Sequence, residues 1–153
     1  MGIRLIGKQR ILEDGYLIDF GQVKSVVAQM CKELNEHFLL PAKSQVIQWE
    51  ENERIIILRC EDGCEFSMPK NDVVKLPIEY SSAEELARYL WGRIVDEFSL
   101  AFLHQRGVRA MEVTVAEAPN QQATYRRQIP PPHSKIEEDD RNTTVNASPC
   151  LDR

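Results

Sequence analysis

Phe20, Val23, Val26, Val27, Met30 and Leu34 recur at spacings of three and four, a period that sets them on one face of a helix. Asp19 with Gln22 three residues on has the form of a capping box, the Asp accepting a backbone N–H and the Gln reaching back. The pattern predicts a helix from Phe20 to about Glu36. Ser82 and Glu85 repeat the capping spacing ahead of a second stripe, Leu86, Leu90, Ile94 and Phe98, which predicts a helix from Ala83 to about Leu103. The remaining apolar runs lack this period. Ile3 to Leu12 leads into the turn residues Glu13-Asp14-Gly15 and reads as a strand. Gln45 to Trp49, Arg54 to Cys60 and Cys64 to Met68 are β-rich runs separated by Glu50-Glu51-Asn52-Glu53 and Asp62-Gly63, which makes a meander ending near Pro69. Met111, Val113 and Val115 alternate with Glu112 and Thr114, the mark of a half-buried strand. A Pro119-Asn120 turn then leads to a last strand around Ala123 to Arg126. The order strand, helix, strands, helix, strands defines an α+β fold, an antiparallel sheet with two helices on one face.

From Pro130 the composition changes: three prolines, His133, the acidic run Glu137 to Asp140 and a polar stretch to Arg153. So little apolar surface cannot offset the entropy of ordering, so residues 129–153 are expected to be a disordered tail behind a single domain over residues 1–128. Asn142-Thr143-Thr144 and Asn146-Ala147-Ser148 match the glycosylation acceptor pattern there and read as chance matches outside a secretory context. A chain of 153 residues supports one ordinary core. The net charge of -5 and pI near 5.3 provide no basic field for a phosphate backbone, which argues against nucleic acid. No apolar run approaches the roughly 20 residues of a membrane span and no signal-peptide pattern opens the chain, which points to the cytoplasm. Four cysteines are too few for a disulfide framework and are expected as packing thiols.

Candidate chemistry is sparse. Of the three histidines, His37, His104 and His133 lie far apart in sequence, while a catalytic zinc takes three protein ligands. Cys60-x-x-x-Cys64 is a close pair with no second pair behind it, and its ordinary reading is two small residues on adjacent strands. Glu36-His37 at the end of the first helix sets a carboxylate beside the side chain that titrates near neutral pH. Its ordinary reading is a solvated helix end with His37 favourably placed against the helix dipole. Glu117, between an apolar strand and the Pro-Asn turn, is the other acid of interest, its ordinary reading being a surface carboxylate.

These residues also carry a resemblance. Gly15-Tyr16-Leu17-Ile18-Asp19-Phe20-Gly21-Gln22-Val23-Lys24 resembles the Gly-Met-Val-x-Asp-Phe-x-x-Leu-Lys signature of the 6-pyruvoyltetrahydropterin synthase and 6-carboxytetrahydropterin synthase family. Leu34-Asn35-Glu36-His37-Phe38-Leu39 is similar to the family's Leu-Asp-His-x-x-Leu-Asn segment, with Glu36 at the Asp position. Ser82-Ala83-Glu84-Glu85-Leu86-Ala87 resembles its Pro-Thr-Ala-Glu-Asn-Leu-Ala helix start, and Val113-Thr114-Val115-Ala116-Glu117 through Tyr125 its closing strand.

The resemblance implies a tunnelling fold, whose sheet closes into a barrel through homo-oligomerisation into trimers or hexamers. It implies a lyase that converts dihydroneopterin triphosphate to a 6-substituted tetrahydropterin with loss of triphosphate. By position, His37 with Glu36 takes the proton-relay place, Glu117 the pterin anchor, and Ser82 and Glu84 join it as substrate-binding residues. Zinc is the family's cofactor, yet its histidines and the cysteine base lie upstream of the strand with which this chain begins. No zinc ligands are therefore expected here, and the chain reads as an N-terminally truncated member. Residues 40–78 form a strand-rich insertion without a family counterpart. The alternative reading is a non-catalytic tunnelling-fold protein that binds a pterin or pairs with a complete subunit.

Overall fold

The computed structural model describes residues 1–7 and 16–134. Along the chain run β1 (Gly2–Gly7), α1 (Phe20–Leu34), β2 (Phe38–Pro41), β3 (Ile47–Glu51), β4 (Ile55–Cys60), β5 (Glu65–Pro69), a single 3-10 turn at Lys70–Asp72, β6 (Val73–Leu76), α2 (Ala83–Phe98), α3 (Leu100–Gln105), β7 (Val108–Ala118) and β8 (Gln121–Gln128). The architecture is α+β. Strands β1, β7 and β8 form an antiparallel sheet in that order, β3, β4 and β5 form a second, and β2 pairs with β6. The predicted turn at Glu13-Asp14-Gly15, the end of the first predicted strand and residues 135–153 of the tail lie outside the described residues.

The first sheet and α2 make the main core. Met111 and Val113 of β7 point inward with no exposure, while the intervening Glu112 turns to the other face. There it lies between Arg4 of β1 at 3.7 Å and Arg126 of β8 at 3.1 Å. Ala87, Leu90, Trp91, Ile94 and Val95 face the strands from α2 and are buried, as spacings of three and four dictate. The Trp91 indole N–H donates to the Met111 carbonyl at 3.1 Å, and its ring meets Tyr125 edge-on at 5.9 Å. Ile129, just past β8, joins the same cluster and donates its N–H to the Arg109 carbonyl at 2.7 Å. A smaller core of Leu40, Ile56 and Leu58, with Trp49 and Met68 against it, serves the strand-rich stretch.

Three features depart from the predicted elements. The helix expected from Ala83 to Leu103 is broken at Ser99, where φ is 62°. Ser99 Oγ then caps α3 by accepting the Phe102 N–H at 3.3 Å, and Leu103 enters the core with no exposure. Next, α1 stops at Leu34, because Asn35 is extended and Glu36 adopts a left-handed conformation at φ 59°. Finally, β2 and β6 form a parallel pair, Leu40 opposite Lys75 and Pro41 opposite Leu76. Strands of four residues are too short for alternation to reveal, so the meander between them hid the pairing.

Candidate functional site

Strand β7 carries a fault that decides the site. Ala116 pairs with Gln122, yet Ala118 pairs with Gln121, so β7 spends two steps where β8 spends one. The extra residue is Glu117. A bulge of this kind lifts its residue out of the ladder and re-aims the side chain. The two-residue turn that follows, Pro119-Asn120, puts Asn120 at φ 69°, a conformation Asn tolerates better than most residues.

Glu84 arrives from the other side. Ser82 caps α2, its Oγ accepting the Glu85 N–H at 3.3 Å, and Glu84 sits in the first helical turn. The Glu85 carboxylate does not close the box: it accepts from Arg88 at 3.0 Å and from the Glu79 N–H at 3.4 Å. Between the start of α2 and the end of the β7–β8 hairpin lies an open cleft of about 270 Å³ lined by Glu84, Glu117, Asn120 and Gln122. With Gln121 also on the lining, two carboxylates and three carboxamides present mostly acceptors, a set suited to a ligand edge rich in N–H donors.

The structure thus brings Glu84 and Glu117 together. Ser82 neighbours the cleft through Ala83 without lining it, its hydroxyl holding the helix end. Glu36 and His37 are also outside the lining. They precede β2, and Ser81 Oγ donates to the Leu39 carbonyl at 2.8 Å, so the His37 end of β2 is tied to the turn that leads into α2. The His37 Nδ1 lies 2.6 Å from the Asn35 carbonyl. A carbonyl only accepts, so Nδ1 carries the hydrogen and Nε2 is the nitrogen left to take up or release a proton. Asn120, Gln121 and Gln122 were absent from the sequence-based site. The Pro-Asn turn was legible, but its position against α2 was not.

The zinc that the resemblance implies does not fit the described residues. Among them, no three His, Cys, Asp or Glu side chains converge as metal ligands. The His104 ring is engaged elsewhere, Nε2 lying 2.7 Å from the Pro130 carbonyl. Among the described residues, no helix is long and apolar enough to cross a membrane.

An antiparallel sheet backed by helices, with a carboxylate-lined cleft at the strand ends, defines an α+β fold with an acceptor-rich site, and comparison with known proteins gives its family. The chain belongs to the 6-pyruvoyl tetrahydropterin synthase family, whose model matches residues 3–128. It is 30% identical over 127 residues to a Methanocaldococcus jannaschii protein provisionally named 6-carboxy-5,6,7,8-tetrahydropterin synthase, covering 83% of this chain and 76% of that one. Among solved structures it is similar to the 6-pyruvoyl tetrahydropterin synthase of Plasmodium vivax, with a TM-score of 0.79 and 44% identity. It is likewise similar to the Plasmodium falciparum enzyme, with a TM-score of 0.79 and 35% identity. Each match covers 83% of this chain and 77% of the other.

Proposed function

We propose that the chain is a cytoplasmic pterin synthase subunit of the 6-pyruvoyltetrahydropterin synthase type, acting as a carbon–oxygen lyase on dihydroneopterin triphosphate with loss of triphosphate. The observation that carries this reading is the bulge at Glu117, which aims a carboxylate into the cleft bordered by Glu84. In this reading Glu117 anchors the ring by accepting two parallel N–H bonds from its guanidine-like edge. Glu84 adds a second acceptor. Ser82 keeps the helix start that holds Glu84 in place. His37, with Nε2 free and Glu36 beside it in sequence, is the proton-relay group. The sheet β1-β7-β8 ends on β1 and β8. Such edges call for partners, which supports a homo-oligomer, trimer or hexamer, that closes the sheet into a barrel.

No step is routed through zinc, because the described residues do not fit it. A second reading is a non-catalytic subunit that binds a pterin or completes another chain. Turnover of dihydroneopterin triphosphate by the purified protein separates the two.

The test of the anchor is calorimetry with neopterin. Glu117→Gln keeps the shape but turns one acceptor into a donor, leaving a ring N–H unpaired. The expected loss is about 2 kcal/mol, or roughly 30-fold in Kd. Glu112→Gln, on the opposite face between Arg4 and Arg126, serves as the control and leaves affinity unchanged. Equal affinities for the two variants remove Glu117 from the site.

A further inference from the structure

The β4–β5 hairpin ends in a facing pair of thiols. Its register runs from Leu58 opposite Phe66 to Arg59 opposite Glu65, so the next pair is Cys60 opposite Cys64. The Cys60 N–H donates to the Cys64 carbonyl at 3.0 Å, a single bond that closes the ladder at the turn. Opposed residues of an antiparallel ladder project from one face, their Cα atoms about 4.5–5.5 Å apart. That separation is within the range a disulfide spans.

The turn between them holds the pair in place. The Gly63 N–H donates to the Cys60 carbonyl at 3.0 Å, and Gly63 takes the φ of 83° that a side chain would resist. Asp62 Oδ1 accepts the Cys64 N–H at 3.0 Å. Asp62 also accepts from the Cys64 thiol, which pushes that thiol above its ordinary range. Both cysteines are free thiols, Cys64 exposed and Cys60 partly so. Neither borders the cleft.

We propose that Cys60 and Cys64 form a reversible intramolecular disulfide, with a small-molecule disulfide such as oxidised glutathione as oxidant, that clips β5 to β4. The Cys60 thiolate attacks one sulfur of the oxidant, whose S–S bond breaks and releases one glutathione thiolate. Cys64 then loses its proton to solvent and attacks the Cys60 sulfur, releasing the second glutathione. Two protein thiols are oxidised and one small disulfide is reduced. A bridge this exposed is of the labile kind, so reduced glutathione reverses it. Until then it fixes β5, which lies at the edge of its sheet.

The full-length protein is equilibrated with mixtures of reduced and oxidised glutathione, alkylated and cleaved with trypsin. Cleavage after Arg59 and Lys70 leaves both cysteines on one peptide, Cys60 to Lys70. The expected result is loss of two hydrogens from that peptide, reversed by dithiothreitol, while Cys31 stays a thiol or carries glutathione. Cys60→Ser and Cys64→Ser each convert the bridge into a glutathione adduct on the remaining cysteine. Asp62→Asn, which removes the charge beside Cys64, speeds ring closure. Retention of both thiols when Cys31 is already glutathionylated overturns the proposal. So do glutathione on both cysteines at once, or a disulfide joining two chains.

Discussion

Two residues other than glycine hold a positive φ at the ends of helices, and replacing each by glycine tests whether strain there is linked to function. Glu36 has φ 59°, and a left-handed L-residue costs about 1–2 kcal/mol. Glycine removes that cost but gives back about 0.5–1 kcal/mol through the greater freedom of the unfolded chain. Glu36→Gly is therefore expected to stabilise the fold by about 0.5–1 kcal/mol. Ser99, at φ 62° and ψ 146°, occupies a region that is nearly exclusive to glycine and costs on the order of 1–3 kcal/mol. Its cap to the Phe102 N–H is worth only a few tenths against glycine. Ser99→Gly should thus stabilise by about 1 kcal/mol or more. Urea unfolding at one fixed protein concentration reads both, since an oligomer's stability depends on concentration. Destabilisation of either variant by more than about 0.5 kcal/mol refutes the strain argument at that site. The functional readouts should then diverge. Ser99 ends α2 sixteen residues from the cleft, roughly 24 Å along the helix, so neopterin affinity and turnover are unchanged in Ser99→Gly. Glu36→Gly is expected to gain stability and lose turnover. Turnover equal to the parent's takes Glu36 out of the proton relay.

Trp91→Phe leaves the Met111 carbonyl without its indole partner and opens a small void beside Tyr125; the expected cost is about 2–3 kcal/mol by urea unfolding, and a change below about 0.5 kcal/mol removes that hydrogen bond from the account of the core. Glu51 accepts from Lys75 and from Lys70, which hold its carboxyl below the usual carboxylate range. A depressed folded-state pKa stabilises above the unfolded value and ceases to do so as pH falls through the folded one, so thermal melts of Glu51→Gln should show a shallower acid limb than the parent. A parallel limb sets this pair of ion pairs aside. With no three converging donors among the described residues, metal analysis after dialysis is expected to find well under one zinc per chain; a stoichiometric ion refutes that expectation.

Both long helices and their N-caps were legible in the sequence, because a 3.6-residue period and a Ser or Asp ahead of it are local properties. Asp19 accepts the Gly21 N–H at 2.7 Å and Ser82 the Glu85 N–H at 3.3 Å. The full capping boxes were not: Asp19 accepts from Gly21 rather than from Gln22, and the Glu85 carboxylate turns to Arg88. The meander β3-β4-β5 was legible within one or two residues from its turn chemistry, and the β7–β8 hairpin from its Pro-Asn turn, although β7 begins three residues before Met111, at Val108. The parallel β2–β6 pair and the break at Ser99 depend on what the chain packs against, which no window of sequence contains. The same division runs through the cleft. Glu117 and Glu84 could be singled out one at a time, by position and by resemblance. Their meeting depends on packing between residues far apart in sequence: α2 lies across the inner face of the sheet, and its start comes to sit beside the end of β7, where the ladder shifts at Ala116 and Ala118.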